Sequence, residues 1–252
     1  MTRSTALVTG ASRGIGAATA AALASDGFSL IGIHYGHDRA AAEATAERVR
    51  SLGARPVLIE AELSDGEAAA SAIAAQWKRA VTENGFTGTD VFVSNAGING
   101  AQVLSDLDPE TYARVQAVNL TAPLFLLHHL NDSLNDGGRV VAVSTGYTTV
   151  AAPTHLAYTA SKCGLEGVLH AVSPELAKRG ITVNSVAPGI IDTDLNADWI
   201  NEPGARDGAA RVSAFGRIGR PEDVADIIAF LASDRGRWIT GQTIDATGGS
   251  SL

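Results

Sequence analysis

The sequence predicts an α/β fold: a doubly wound parallel sheet of about seven strands with helices on both faces. Three observations predict it. Short apolar runs alternate with longer amphipathic stretches along the whole chain. The runs are continuous, as in Val140-Val141-Ala142-Val143, rather than alternating, which is what strands covered on both faces require. A glycine-rich turn directly follows the first run and opens the first helical stretch. The chain of 252 residues suits one domain with a sizeable core. No repeat or linker divides it, so a single domain is expected over 1–252.

In order along the chain, residues 5–9 form the first predicted strand and 15–25 the first helix, rich in helix-favouring alanine. Strand 29–34 precedes helix 39–52, which Gly53 closes as a C-terminal cap. Strand 56–60 precedes helix 66–83, and strand 91–94 follows. Asp108-Pro109-Glu110 reads as an N-cap, a first-turn proline and a first-turn acid, and it starts a helix predicted over 109–133. Strand 139–144 leads to helix 157–179, ended by Gly180. Strand 182–187, helix 221–233 and strand 243–245 complete the series. Residues 192–219 show no clear period. Inside a compact domain, a stretch of that length is expected to be a lid over a site.

Composition narrows the class. Hydrophobic residues make up 45% and charged residues 18%, as in an ordinary globular protein. A net charge of −8 argues against a general nucleic-acid or anionic-membrane binder. The one cysteine, Cys163, excludes an intrachain disulfide and is expected to be a small core residue. Arg3 and the apolar, alanine-rich sequence after it have the outline of a signal peptide. Ser12, Arg13 and three glycines interrupt that stretch. No run of 18 apolar residues suggests a membrane span, and a cytoplasmic protein is expected.

Two motifs carry chemistry. In Thr9-Gly10-Ala11-Ser12-Arg13-Gly14-Ile15-Gly16 the glycines allow a tight turn and close approach of backbone to a ligand. The following helix N-terminus offers free N–H groups and partial positive charge to a diphosphate. Tyr158 and Lys162 stand four residues apart. On a helix they share one face, about 6 Å apart along the axis. A cation there favours the phenolate and pulls the tyrosine pKa down from ~10, toward a value suited to exchanging a proton with an alcohol or a carbonyl oxygen.

The wide glycine turn and the Tyr-x-x-x-Lys pair together resemble the short-chain dehydrogenase/reductase family, over about residues 5–249. Further segments are similar to family motifs in the same order: Ser94-Asn95-Ala96-Gly97, Val118-Asn119-Leu120-Thr121, the segment from Pro188 to Thr193, the segment 217–224 and Ile239-Thr240-Gly241-Gln242. The resemblance implies a Rossmann-type fold and hydride transfer between a nicotinamide and a ketone or secondary alcohol. It implies Tyr158 as general acid/base, Lys162 as its partner and a ribose ligand, and Asn119 as anchor of a water relay. It also implies a hydroxyl that orients the carbonyl. Thirteen residues before the tyrosine stands Thr145, which is preferred. Ser144 would face the other way on a strand, but a one-residue gap would reinstate it.

For the cofactor, the resemblance implies contacts from Gly10, Ser12, Arg13, Gly14, Ile15 and Gly16 in the turn. It adds Glu62 and Leu63 near the adenine, Asn95, Ala96 and Gly97 after the fourth strand, and Pro188, Gly189, Ile191 and Thr193 at the nicotinamide end. Tyr35 stands about where NAD-preferring relatives carry an aspartate. Without that carboxylate a 2′-phosphate is not repelled, and Arg13 can meet it with a charged fork, assisted by His34, His37 or Arg39. NADP is therefore favoured over NAD, with Asp38 as the residue that would reverse this if it reached the ribose. No metal site is expected.

The substrate is a small-molecule ketone or alcohol, and the family's 3-oxoacyl-carrier-protein reductases offer one alternative. The stretch 131–136 and the segment Ser173-Pro174-Glu175 lack the basic residues that would steer an acidic carrier. The pocket is expected among Ile98, Asn99, Tyr147, His155, Ile190 and the lid, where Trp199 and Phe215 either cover an apolar substrate or pack on the body. A non-catalytic NADP-binding redox sensor is the alternative of another class, disfavoured by the retained Asn119, Tyr158 and Lys162. The family's homotetramers suggest assembly through residues 124–127 and 241–252.

Overall fold

The structure, a computed structural model, describes residues 4–250; Arg3 and the end of the 241–252 segment lie outside the described residues. Its strands are β1 (Thr5–Val8), β2 (Leu30–Tyr35), β3 (Arg55–Glu60), β4 (Thr89–Ser94), β5 (Leu134–Val143), β6 (Thr182–Pro188) and β7 (Thr243–Ala246). The helices are α1 (Gly14–Ser25), α2 (Arg39–Ser51), α3 (Glu67–Glu83), α4 (Pro109–Gln116), α5 (Ala122–Leu130), α6 (Leu156–Ala177), α7 (Ala197–Ile200), α8 (Ala205–Val212) and α9 (Pro221–Ala232). The strands form one sheet in the order β3-β2-β1-β4-β5-β6-β7, with every neighbouring pair parallel.

Helices on both faces explain the continuous apolar runs. On β1, Ala6 and Val8 join one buried cluster and Leu7 the other. On β5, Val141 and Val143 face the first cluster while Val140 and Ala142 face the second. The first is closed by Leu23 of α1, Val49 of α2 and Ile228 of α9. The second is closed by Ile73 and Trp77 of α3, Leu126 of α5 and Leu165 of α6. The buried Trp77 indole donates to Thr89 Oγ1 at 2.9 Å, so its polar atom is satisfied.

Strand order reverses between β1 and β4, which opens a crevice beyond their carboxyl ends, where doubly wound sheets bind ligands. Two predicted elements differ. The helix expected over 109–133 is interrupted: α4, capped by the Asp108 carboxylate on Thr111 N–H at 2.7 Å, gives way to a π-helical turn, Ala117–Thr121, before α5. The predicted lid contains a short 3₁₀ turn, Asp194–Asn196, and then α7 and α8. No helix among the described residues is long and apolar enough to cross a membrane.

Candidate active site

The glycine turn lies between β1 and α1, where β4 comes alongside. Gly10 adopts φ 59°, and a Cβ there would stand 2.8 Å from the Ala96 Cα. A Cβ on Gly16 would stand 2.3 Å from the Gly10 carbonyl oxygen and 2.5 Å from Asn95 Nδ2. Both positions are therefore restricted to glycine by close backbone approach. Asn95 locks the turn by donating to the Thr9 and Gly10 carbonyls, each at 2.9 Å. His34 supports it from β2: Nδ1 accepts the Gly10 N–H at 3.2 Å and Nε2–H donates to the Ala61 carbonyl at 3.1 Å. The Nδ1 bond needs the neutral ring, and burial lowers the His34 pKa to about 4 against the raising effect of the Ala61 bond. His34 is thus a scaffold for the turn rather than a cation for a phosphate. No side chain caps the N-terminus of α1, whose first N–H groups follow the turn, so a diphosphate fits there.

A cavity of about 560 Å³ occupies the crevice. Of the predicted cofactor contacts, Gly10, Ser12, Arg13, Gly14, Ile15, Glu62, Leu63, Asn95, Ala96, Gly97, Pro188, Gly189, Ile191 and Thr193 line it, as do Tyr158 and Lys162. Gly16 shapes the turn from behind. Tyr35 is the correction: it is buried, and its hydroxyl donates to Glu60 at 2.8 Å. Side chains alternate along β2, so His34 and Gly36 reach the cavity and Tyr35 points to the other face. Glu62 accepts from Ser64 N–H at 3.2 Å and pairs with His37 at 2.5 Å. Arg39 pairs with Glu43 on its own helix. Arg13 reaches across the mouth of the crevice, to Asp38 at 2.8 Å and to Asp194 of the lid at 2.7 Å. Asp38 also caps α2 through Ala41 N–H at 3.0 Å.

At the inner end, α6 carries Tyr158 and Lys162 on one face, only 8% and 2% exposed. The Lys162 ammonium donates to the Val143 carbonyl at 2.7 Å and lies 5.8 Å from the centre of the Tyr158 ring. The Thr145 hydroxyl stands beside the Tyr158 phenol and favours its ionised form. Here the electrostatics depart from the simple expectation. Burial pushes Tyr158 up to about 12, against the lowering effect of the Thr145 hydroxyl. Burial likewise brings Lys162 down to about 8, opposed by the field of Glu166. Desolvation of the charged forms outweighs the attraction expected from the helical spacing, so the phenol stays protonated at neutral pH, the state that donates a proton.

Thr145 and Ser144 point apart. The Ser144 hydroxyl donates to the Glu166 carboxylate, whereas Thr145 faces Tyr158 and also accepts the Tyr147 N–H at 3.3 Å. Asn119 lies fully buried in the π turn. Its Oδ1 accepts the Ile98 N–H at 2.9 Å, and its Nδ2 donates to the Ile98 carbonyl at 2.9 Å and to Ser161 Oγ at 3.1 Å. The carboxamide thereby joins the loop after β4 to α6 directly below Tyr158. A π turn also alters the local backbone hydrogen bonding, a pattern common at functional sites.

Beyond Tyr158 the wall is aromatic. The Tyr147 ring lies 4.9 Å from His155 and edge-on to Tyr158 at 6.5 Å; His155 meets Tyr158 edge-on at the same distance. Burial lowers the His155 pKa and raises that of Tyr147. Within 192–219, Leu195, Trp199 and Val212 are part exposed, and Phe215 is 76% exposed. The end of the lid is tied to the C-terminal segment by Ser213 Oγ and Ala214 N–H, donating to the Gly248 carbonyl at 2.9 and 3.0 Å. Cys163 is exposed on α6 rather than buried in the core, because it lies off the stripe that carries Tyr158 and Lys162. Sequence reasoning missed Glu166 and Asp194. Glu166 was signalled by the i+4 spacing from Lys162; Asp194 meets a residue 181 positions away, which no local pattern encodes.

Residues 10–251 match the family model described as enoyl-(acyl carrier protein) reductase. Versicolorin reductase 1 of Aspergillus parasiticus is 35% identical over 97% of this chain and 95% of its own length. The 3-oxoacyl-[acyl-carrier-protein] reductase FabG of Staphylococcus aureus is 34% identical over 99% and 98%. Among solved structures, the promiscuous reductase LugOII, which catalyses keto-reduction at C1 in lugdunomycin biosynthesis, superposes with a TM-score of 0.93 at 40% identity, covering 99% of this chain and 98% of its own. The angucycline C-6 ketoreductase LanV with bound NADP gives 0.92 at 39% identity over 98% and 95%.

Proposed function

The chain belongs to the short-chain dehydrogenase/reductase family, and on that premise we propose that it is an NADP-dependent ketoreductase for fused-ring aromatic ketones, with Tyr158 as proton donor. The observation that carries this reading is the placement of Tyr158, Lys162 and Thr145 together at the inner end of the crevice that the glycine turn opens. NADPH, when bound, supplies the hydride. The glycine turn and α1 N-terminus hold its diphosphate, Lys162 its ribose, and the segment Pro188 to Thr193 its nicotinamide end. Thr145 and Tyr158 bind the ketone oxygen, and Tyr158 transfers its proton to that oxygen as the alcohol forms. The catalytic domain spans the chain, with residues 192–219 as its lid.

Two observations support a planar aromatic substrate. Tyr147 and His155 present ring surface beside Tyr158, and fused-ring compounds stack on such surfaces. Versicolorin reductase 1, an angucycline C-6 ketoreductase and a keto-reducing enzyme of lugdunomycin biosynthesis are also among the similar proteins. FabG relatives support the 3-oxoacyl-carrier-protein alternative. Against it, Asp132 and Asp136 are engaged by Lys78 and Arg179, which leaves no surplus basic charge there for an acidic carrier. We further propose a cytoplasmic homotetramer, supported by the exposed Phe125 on α5 and by Trp238, 95% exposed before β7.

The test is NADPH oxidation with a panel of fused-ring ketones and β-ketoacyl thioesters. Faster turnover of the fused-ring ketones is expected. Faster turnover of the thioesters would move the reading to the carrier-protein class, and NADPH binding without turnover of any ketone would favour a sensor. Arg13 gives a second test. A 2′-phosphate must draw its guanidinium from Asp38 and Asp194, exchanging exposed carboxylate pairs for a dianion. Arg13→Gln is expected to weaken NADPH binding by about tenfold to a hundredfold while changing NADH binding much less, as read by calorimetry. Equal losses for both cofactors would refute the assignment.

A further inference from the structure

Glu166 follows Lys162 by four residues, as Lys162 follows Tyr158, so the three side chains share one stripe of α6. The Glu166 carboxylate accepts the Ser144 hydroxyl. Ser144 lies just past the end of β5, between the two residues that hold the reacting pair. On one side Val143 offers its carbonyl to Lys162; on the other Thr145 stands beside the Tyr158 phenol. Ser144 lines the cofactor crevice. Glu166 lines a second cavity of about 330 Å³ behind it, with Cys163, His170 and Gln242. The Ser144–Glu166 bond thus forms part of the wall between the two cavities.

We propose that Glu166 is a positioning residue for ketone reduction: its carboxylate, one helical turn beyond Lys162, acts on the ammonium, and its bond to Ser144 fixes the strand end that presents Thr145 and the Val143 carbonyl. This rests on the ketoreductase reading of the site. The surroundings of Lys162 leave the electrostatic task to Glu166. From β5 it meets the Val143 carbonyl, with the hydroxyls of Ser144 and Thr145 alongside. After β4 it comes up to Gly97, beside which the neutral Asn119 carboxamide of the π turn also lies. On α6 itself stand the protonated Tyr158, Cys163 and Glu166; Tyr147 and His155 gather around Tyr158. Glu166 is the carboxylate whose field acts on the ammonium. Burial lowers the Lys162 pKa to about 8 and Glu166 opposes that fall, so removing its charge moves the pKa further down. The neutral amine then appears at lower pH.

Three variants separate charge from tether. Glu166→Gln keeps an oxygen for Ser144 and loses the charge. Ser144→Ala keeps the charge and loses the bond. Glu166→Asp restores the charge on a shorter arm. The readout is the pH profile of kcat and kcat/KM for ketone reduction between about pH 6 and 10, with NADPH affinity measured separately. Wild type is expected to lose activity with rising pH through an ionisation near 8. Glu166→Gln should move that limb about one unit lower, without weakening NADPH binding, and Glu166→Asp should move it back. Ser144→Ala should leave the limb in place and lower kcat several-fold. A Glu166→Gln limb coincident with wild type would overturn the charge role, and an unchanged kcat in Ser144→Ala would overturn the tether. An NMR titration of the Lys162 amine in wild type and Glu166→Gln reads the same shift without turnover. It decides the proposal even if wild type reduces no ketone, an outcome that would instead overturn the ketoreductase reading.

Discussion

Tyr158→Phe is expected to lower ketone reduction by about 10²–10⁴-fold, the usual contribution of a positioned general acid, and to leave NADPH binding intact. Phenylalanine keeps the ring that packs edge-on to Tyr147 and His155, so the aromatic wall persists. The change removes only the hydroxyl that stands beside Thr145. With no proton to donate, the developing alkoxide would rest on Thr145 alone, since the Lys162 ammonium is turned to the Val143 carbonyl. Burial raises Tyr158 to about 12, so the wild-type donor is fully protonated at neutral pH. Reduction should therefore show no alkaline limb from the tyrosine below that value, whereas oxidation of the alcohol, which needs the phenolate, should rise with pH. Stopped-flow hydride transfer and fluorescence titration of NADPH separate chemistry from binding. A variant retaining more than about a tenth of wild-type turnover would exclude Tyr158 as the acid.

The sheet was legible because its strands are buried on both faces, which leaves runs such as Val140 to Val143 without polar interruption. The glycine turn was legible for a related reason: backbone approach within 3 Å at Gly10 and Gly16 admits no other residue. What escaped the sequence depends on contacts between distant segments. Apolar residues continue in helical rhythm through 109–133, and nothing in that rhythm marks the π turn. The side chain at its centre, Asn119, is held by Ile98 and Ser161, on other elements. Tyr35 was misplaced for a different reason. Position alone matched it to an acid in relatives, while the two-residue period of β2 puts Gly36 on the cavity side with His34. The pKa of Tyr158 was also beyond reach, because the sequence shows a nearby cation but not the depth of burial that outweighs it.

The choice between Thr145 and Ser144 yields the other large effect. Both are buried, both bear hydroxyls, and both line the crevice, so neither burial nor chemistry separates them. The extended backbone just past β5 does: consecutive side chains diverge, Ser144 to Glu166 and Thr145 toward the Tyr158 phenol. On the proposed reading, a ketone oxygen bound by Tyr158 is expected within reach of Thr145 rather than Ser144. Removing one preorganised donor from a developing oxyanion costs about 10²–10³-fold in kcat, which is the loss expected for Thr145→Ala. Ser144→Ala should cost less than about tenfold, since it perturbs the strand end without removing a bond to the substrate. Thr145→Ser should recover most of the activity, because serine donates the same bond without the methyl group. The methyl makes the recovery informative. If it bounds the pocket beside Tyr158, Thr145→Ser should raise kcat for bulkier ketones relative to small ones. Equal losses in the two alanine variants, or the reverse order, would place the carbonyl on the Ser144 side and require a different pose for the ketone.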